Sequence, residues 1–212
     1  MANCSLSPEE IRERLLNAAK ELFLTKGIAG TEMKEISARA GLSRSTLYRY
    51  VMDRNQLSFM VSTQVLTELT DKSLSVAMNP SLSGYEKLCH FAHHFVDTLC
   101  ENISLVNYLS EFDSLSRGEY PNIPEAREYS ATMNRLLHRS AQFMFEGLAD
   151  KSIRPLDNPL FFISVLVNTI LGLGQRLLPR NVHYMEEHNS SARDIILYAA
   201  DILLDDIKFR AE

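Results

Sequence analysis

A stretch rich in arginine, tyrosine and hydroxyl side chains, GLSRSTLYRYVMDRNQL at residues 41–57, has the residue types that bind nucleic acid. Guanidinium groups bind phosphate or contact guanine through paired hydrogen bonds, and hydroxyl groups bond to sugar and phosphate oxygens. If the stretch is helical, Leu47 and Val51 share its buried side. The outward face then carries Ser45, Thr46 and Arg49. This distribution predicts a recognition helix for the major groove of DNA, and a solvated helix face is the alternative.

Two kinds of DNA contact are predicted for these side chains. Arg44, at the amino end of the helix, is the candidate for contact with guanine O6 and N7, which contributes about 1–3 kcal/mol of base discrimination. The sugar-phosphate backbone is expected to meet the helix start that Thr31 caps. Further backbone contacts are expected from Lys34, Tyr48, Tyr50 and Arg54.

Three short helices are predicted to position these residues. The first covers residues 8–26, because the sequence SPEE at residues 7–10 is a capping box and a glycine follows the last turn. The second covers residues 31–40 and the third residues 43–50. Gly41 lies in the turn between them, and a short glycine-containing turn is the connection that a helix-turn-helix requires.

The rest of the chain also has helical spacing of apolar residues, and no stretch alternates strictly as a half-buried strand does. We therefore predict an all-α protein of about nine helices. An N-terminal three-helix domain is expected at residues 1–53, and a helical ligand-binding and dimerisation domain at residues 54–212. The helices predicted for the second domain are 54–78, 84–101, 104–116, 124–149, 158–178 and 191–209.

Charge and cysteine content limit the classes of protein that fit. The formal net charge is −5, so a uniformly basic surface is excluded. Residues 1–56 carry nine Lys and Arg against seven Asp and Glu, whereas the remainder carries 13 against 20. Three cysteines, Cys4, Cys89 and Cys100, are too few for a disulfide framework. The apolar run at residues 160–174 is too short to span a bilayer, so we expect a cytoplasmic protein.

The sequence LLNAAKELFLTKGIAGTEMKEISARAGLSRSTLYRYVMDRNQL resembles the N-terminal DNA-binding domain of the tetracycline-repressor (TetR) family of bacterial regulators. Three positions depart from the common pattern: Ser37 replaces Ala, Val51 replaces Phe and Arg54 replaces Lys. The departures keep small size, apolar character and charge. The matching positions are Ala18, Ala19, Leu22, Phe23, Gly27, Thr31, Ile36, Ala40, Gly41, Ser43, Thr46, Leu47, Tyr48, Tyr50 and Leu57.

The resemblance implies a ligand-responsive repressor that binds a near-palindromic DNA operator as a homodimer and is released by a small-molecule effector. Half-sites would lie about 34–36 Å apart. Thr31, Tyr50 and Arg54 would hold the DNA backbone. The residues implied to face the major groove are Arg44, Ser45, Thr46, Tyr48 and Arg49. A helical ligand-binding or protein-interaction module without DNA binding is the alternative function.

Apolar residues of the second domain predict a pocket and a dimer interface. Aromatic and methionine side chains with a few polar groups suit a ligand pocket, and they equally suit a core. The pocket candidates are His93, His94, Phe95, Tyr108, Phe112, Tyr129 and Met133. Two helices carry more apolar residues than one internal core requires, and a core helix within one subunit is the alternative. The interface candidates are Phe161, Phe162, Val165, Leu166, Thr169, Ile170, Leu173, Ile195, Ile196, Ala199, Ile202 and Leu203.

Metal binding and catalysis have weaker support in the sequence. Cys89, His93 and Asp97 recur at every fourth position, with His90 and His94 beside them, which is a spacing for metal ligands on a helix. Solvated histidines are the alternative, and no metal or cofactor is assigned. The sequence contains no catalytic motif such as Gly-x-Ser-x-Gly or His-Glu-x-x-His, so an enzyme is not expected.

Overall fold

The computed structural model describes residues 6–210, and within that range the chain is helical without a β-strand. An isolated antiparallel bridge joins Ile153 and Lys208. The all-α prediction is confirmed. The helices are α1 (Pro8–Lys26), α2 (Met33–Arg39), α3 (Arg44–Tyr50), α4 (Arg54–Ala77), α5 (Gly84–Glu101), α6 (Ile103–Leu115), α7 (Pro124–Ser140), α8 (Gln142–Asp150), α9 (Pro159–Leu177), α10 (Asn181–His188) and α11 (Ala192–Ile207), with a 3-10 turn at Leu178–Arg180.

The helix boundaries differ from the prediction at two places. The single helix expected over residues 124–149 is divided into α7 and α8 at Ala141. Helix α10 lies in a segment predicted to be a loop. No residue of α10 is buried, so it has no apolar periodicity from which a helix could be predicted. Its end is marked by Asn189 in the left-handed conformation, with φ of 51°.

The predicted signals at the ends of α1 and α3 are present. The Ser7 backbone N–H donates to Glu10 Oε2 at 2.7 Å, which completes the capping box at the start of α1. Gly27 follows α1 with φ of 79°, and Gly41 precedes α3 with φ of 68°. The Ser43 hydroxyl accepts the N–H of residue 46 and caps α3. Local residue chemistry therefore sets the lengths of these helices.

The predicted N-cap of α2 was wrong. The N-cap residue is Glu32, whose backbone N–H donates to the Glu35 carboxylate at 3.0 Å. The Thr31 side chain is buried, and its hydroxyl donates to the Gly27 carbonyl oxygen at 2.7 Å. Thr31 therefore closes the turn after α1 and does not cap α2.

The described chain forms two compact units. The first unit extends to Val65 and includes Asn107–Ser130, and the second contains Leu66–Val106 and the chain from Ala131 onward. The division passes through α4, α6 and α7. It differs from the boundary expected at residue 53, because the first unit combines two separate segments of the chain.

Aromatic rings from α1, α4, α6 and α7 form the core of the first unit. Phe23 of α1 stacks on Tyr108 of α6 with ring centroids 6.2 Å apart. Phe112 lies 5.2 Å from Phe59 of α4 and 5.2 Å from Tyr129 of α7. Such aromatic pairs contribute about 0.5–1.5 kcal/mol each beyond the burial of their area. The three-helix segment α1–α3 is therefore supported by the first turns of α4, the end of α6 and the start of α7.

The second unit is a bundle in which α5, α8, α9 and α11 share an apolar core. The backbones of α5 and α8 are very close at two glycines: a Cβ added to Gly84 would lie 2.0 Å from the Gly147 nitrogen. The buried residues that fill this core include Leu88, Phe91, Phe95, Ile163, Leu166, Ile170, Ile196, Ala200 and Leu204.

The segment from Pro159 to His188 is long and apolar enough to cross a membrane by length and composition alone, with a mean hydropathy of 1.6. The apolar run at residues 160–174 is only part of this longer segment, and the core helix of a soluble protein passes the same test. One side of α9 lies in the core of the second unit through Ile163, Leu166 and Ile170. Only 28% of the apolar window is buried within the chain, so α9 also exposes apolar surface.

Candidate nucleic-acid interface

Helix α3 presents a polar and aromatic outer face, as predicted. Leu47 and Val51 are 0% and 4% exposed and fix the helix to the first unit. Tyr48 is 56% exposed although it is aromatic. The Ser43 hydroxyl lies 2.8 Å from the Ser45 hydroxyl. The other exposed residues of this face are Arg44, Ser45 and Arg49.

A cleft of about 460 Å³ lies beside α3 within the first unit. Three cationic side chains border it, and the Lys34 ammonium pairs with the Glu32 carboxylate at 2.6 Å. Arg44 has no ion-pair partner among residues 6–210, so its guanidinium is available to an anion or a base edge. The lining residues are Thr31, Glu32, Met33, Lys34, Arg44, Tyr48, Asp53 and Arg54.

Arg54 binds protein backbone in the structure. Its Nη1 donates to the carbonyl oxygens of Ala29 at 2.7 Å and Thr31 at 3.0 Å. These bonds connect the start of α4 to the loop before α2. The guanidinium is thus committed to positioning the loop, and any phosphate contact would be additional.

Glu111 of α6 also holds this loop, and no sequence pattern pointed to it. Its carboxylate accepts the backbone N–H groups of Ile28 at 2.6 Å and Ala29 at 2.7 Å. Gly27 has a φ of 79°, which favours glycine, and an added Cβ would lie 2.7 Å from Glu111 Oε2, so the carboxylate would have to shift. The partners are more than 80 residues apart in sequence, so no local pattern could associate them.

Tyr50 of α3 packs against Arg12 of α1, and two ion pairs connect α1 to α2. The Tyr50 ring lies beneath the guanidinium groups of Arg12, at 5.9 Å, and Arg49, at 5.8 Å. A Tyr ring attracts such cations electrostatically. Two ion pairs, Lys26 with Glu35 and Arg39 with Glu21, connect α1 to α2. The ion pair with Lys26 and a backbone hydrogen bond from residue 32 lower the pKa of Glu35.

The predicted pocket residues are divided between the two units. Tyr108, Phe112 and Tyr129 belong to the aromatic core of the first unit, and ligand contact by them stays a prediction. Burial raises the pKa of Tyr108, whose hydroxyl donates to the Ser58 carbonyl at 2.9 Å and is 2.7 Å from the Ser62 hydroxyl.

The remaining pocket candidates lie in the second unit. His93 is exposed and pairs with Asp201 of α11 at 2.7 Å. His94 is half-buried, with Nδ1 3.3 Å from the Ser73 hydroxyl. Phe95 is buried in the core and Met133 is half-buried. Ligand contact by these residues stays a prediction.

The side chains of the proposed metal cluster have other partners. Asp97 accepts from Arg193 Nε at 2.7 Å, and His93 pairs with Asp201. Burial raises the pKa of the Cys89 thiol, which disfavours the thiolate that binds metal. Across residues 6–210 no three His, Cys, Asp or Glu side chains are close enough to hold an ion. The metal hypothesis therefore gains no support, and Cys4 lies outside the described residues.

The predicted interface residues include both core and surface positions. Leu166, Ile170 and Ile196 are fully buried within the chain and cannot contact a partner. Phe161 and Ile202 are 65% and 54% exposed. The sequence reasoning omitted Tyr198 of α11, which is 70% exposed. The half-buried candidates are Phe162, Val165, Thr169, Leu173, Ile195, Ala199 and Leu203.

Comparison with known proteins agrees with this geometry. Residues 15–57 match the family model for bacterial regulatory proteins of the tetR family. No curated protein matches the chain. A putative TetR-family regulator from Mesorhizobium loti superposes with a TM-score of 0.69 at 19% identity, covering 95% of this chain and 96% of its own.

Two further solved structures have the same fold. The TetR-family regulator PfmR from Thermus thermophilus has a TM-score of 0.61 at 17% identity, covering 91% of this chain and 97% of its own. The regulator FadR from Bacillus subtilis, solved with stearoyl-CoA, has a TM-score of 0.67 at 14% identity, covering 92% and 99%. Residues 15–57 thus match the tetR family of bacterial regulatory proteins, and the described chain shares its all-helical fold with solved TetR-family regulators.

Proposed function

We propose that the protein is a cytoplasmic repressor that binds a near-palindromic operator as a homodimer and is released by a small-molecule effector. The observation that carries the DNA-binding part is the exposed face of α3 beside a cleft bordered by three cationic side chains. A buried apolar side seats the helix, while the outer face is left to solvent. This is the distribution that major-groove recognition requires.

Base reading is assigned to Arg44, with Ser45, Tyr48 and Arg49 alongside. The unpaired guanidinium of Arg44 can form two parallel hydrogen bonds with guanine, and the exposed Tyr48 can pack on sugar or a thymine methyl group. Thr46 is half-buried, with its hydroxyl 2.9 Å from the Ser43 hydroxyl, so its contribution is to the cap of α3.

Contact with DNA phosphates is assigned to Lys34 and Tyr50. Lys34 pairs with an exposed Glu32, and such surface pairs contribute about 0–1 kcal/mol, so a phosphate can replace the carboxylate. Thr31 and Arg54 are given an indirect role, because both hold the backbone of the loop that presents these groups.

The homodimer is proposed to form through the exposed apolar faces of α9 and α11. These helices pack on each other within the second unit and leave Phe161, Tyr198 and Ile202 largely exposed. An exposed apolar patch on a soluble chain commonly marks an interface. The fully buried residues of both helices would then hold the exposed interface residues in position by packing in the core.

The effector site is proposed for residues 54–212, with α4 transmitting its state to the DNA-binding segment. An effector changes DNA affinity only if it binds two conformations with different affinity. The first compound to test is stearoyl-CoA, because the structurally similar FadR from Bacillus subtilis was solved with that ligand.

The decisive experiment selects bound sequences from random DNA and measures their affinity against salt concentration. A regulator of this kind should enrich a near-palindrome and lose affinity steeply as salt rises. Stearoyl-CoA should then release the selected DNA, with palmitate and free coenzyme A as controls. Failure to enrich any sequence would favour a ligand-binding module without DNA binding, whereas enrichment without release would exclude only this effector.

A further inference from the structure

A second cavity, of about 330 Å³, lies within the first unit and does not belong to the DNA-facing cleft. Side chains from α1, from the junction between α3 and α4, and from the start of α7 surround it. Its volume is at the lower end of the range for small-molecule sites. The lining residues are Arg12, Leu15, Tyr50, Val51, Leu57, Met60 and Glu125.

Glu125 brings a carboxylate to this cavity that is only half satisfied. Its Oε1 accepts a hydrogen bond from Gln56 Nε2 at 2.8 Å. Its Oε2 is buried and has no hydrogen-bond partner among the described residues. Buried polar atoms without a partner are rare, because each one has lost its hydration without gaining a hydrogen bond in return. The arrangement therefore calls for a donor at Oε2.

Gln56, which donates to the Glu125 carboxylate, is held in place by two further hydrogen bonds. Gln56 Oε1 accepts the Met52 backbone N–H at 2.7 Å, and the Gln56 backbone N–H donates to Asp53 Oδ1 at 2.8 Å. Gln56 is itself buried. The oxygen and the nitrogen of the Gln56 side-chain amide are both hydrogen-bonded already. Glu125 therefore cannot turn Oε2 toward Gln56 without losing the bond at Oε1. A donor must come from elsewhere.

The other walls select the kind of donor. Leu15, Val51 and Leu57 are buried aliphatic side chains, and Met60 is a half-buried, adaptable one. Arg12 is exposed, and its guanidinium is placed over the Tyr50 ring at 5.9 Å. The cavity thus combines a buried anionic acceptor with an apolar wall.

We propose that this cavity binds a compact organic cation, with an N–H group donating to Glu125 Oε2 and an apolar body packed against Leu57 and Met60. An organic anion would meet the Glu125 carboxylate and is disfavoured. The cavity lies within the first unit, and the proposal does not rest on release of DNA. Its ligand would contact Val51, which follows the recognition helix, and Glu125, which is hydrogen-bonded to Gln56 at the start of α4.

Benzylamine is a suitable probe, and the full-length protein labelled with [¹³C-methyl]methionine supplies a local signal. Met60 lines the cavity and is assigned through Met60→Leu, while exposed Met185 of α10 serves as an internal control. We expect a saturable shift of the Met60 methyl signal and none at Met185. Benzyl alcohol should bind about ten-fold more weakly, and benzoate should not bind, because only the amine pairs with the carboxylate.

A charge-neutralising variant tests the acceptor directly. Glu125→Gln should raise the Kd for benzylamine about ten-fold or more, whereas Glu119→Gln, which removes an exposed carboxylate from the same unit, should leave it unchanged. Equal affinity of wild type and Glu125→Gln, or tighter binding of benzoate, would overturn the proposal. Should Glu125→Gln fail to fold, a nuclear Overhauser effect between the benzyl ring and the Met60 methyl in wild type decides. If this Overhauser effect is absent at high benzylamine concentration, the proposal is also overturned.

Discussion

Arg44 and Arg54 border the same cleft, yet their guanidinium groups have different surroundings. Arg44 is exposed at the start of α3, whereas Arg54 donates to two backbone carbonyl oxygens of the loop before α2. A side chain without protein partners can be removed without loss of folding energy. A charged donor to backbone contributes about 1.5–3 kcal/mol. The two arginines should therefore differ in whether they affect stability.

We predict that Arg44→Ala leaves the thermal midpoint unchanged and removes preference for the selected operator over random DNA. Arg54→Ala should lower the free energy of unfolding by about 1–3 kcal/mol and weaken binding to both DNAs, because the loop loses its support. Calorimetry and fluorescence anisotropy with the two DNAs measure the difference. A lower thermal midpoint for Arg44→Ala, together with an unchanged midpoint for Arg54→Ala, would contradict the roles given to the two arginines.

The sequence was informative about residues whose role depends on near neighbours. Ser43, Leu47 and Val51 could be placed because helix periodicity and capping act over three or four positions. The hydrogen bonds of Arg54 and Glu111 could not be predicted, because their partners are distant in sequence and depend on how the helices pack. Thr31 was misassigned as a cap for a different reason: its hydroxyl turns back to the Gly27 carbonyl, four residues earlier, and Glu32 takes the N-cap position.

Helix α6 affects the DNA-binding segment through one carboxylate. Glu111 accepts the N–H groups of Ile28 and Ala29, so it fixes the loop between α1 and α2. We predict that Glu111→Ala lowers the free energy of unfolding by about 1–3 kcal/mol, because the part-buried Ile28 N–H loses a charged acceptor. Operator affinity should fall in parallel. Glu119→Ala is the matched control, since that carboxylate is exposed in the same unit.

Close packing of α5 on α8 depends on glycine at two positions with different neighbours. A Cβ on Gly84 would meet backbone atoms of Gly147 at 2.0 Å, whereas a Cβ on Gly147 would meet the Ile153 side chain at 2.4 Å. Backbone cannot move without shifting a helix, but a side chain can change rotamer. We predict that Gly84→Ala destabilises by about 3 kcal/mol and Gly147→Ala by about 1 kcal/mol. Urea denaturation measures both, and the reverse order would contradict this account.

For the secondary-structure elements, the presence of helices was easier to predict than the positions at which one helix ends and the next begins. Capping signals located α1 and α3 because those signals are local. The break between α7 and α8 has no proline or glycine to announce it, and α10 has no buried face. The boundary was expected near residue 53, where the fourth helix was predicted to begin. The core that crosses it is built by Phe59 and Phe112, whose partners the sequence cannot specify.

The whole molecule is proposed to act as a two-fold dimer, in which each exposed interface residue occurs twice. A carboxylate placed at Ile202 of α11 would be buried opposite apolar side chains in both subunits and would lose its hydration. Within the single chain the same substitution costs little, because Ile202 is 54% exposed. Dimer formation should therefore be lost while folding is retained.

We predict that Ile202→Glu elutes and scatters light with the mass of the 24.1 kDa chain, whereas wild type has twice that mass. Val76→Glu introduces the same charge at an exposed valine of α4 outside the proposed interface and should remain dimeric. Operator affinity of Ile202→Glu should fall steeply, because one recognition helix then reads only one half-site. A dimeric Ile202→Glu with unchanged affinity would exclude this face of α11, since a two-fold interface would carry both unpaired carboxylates.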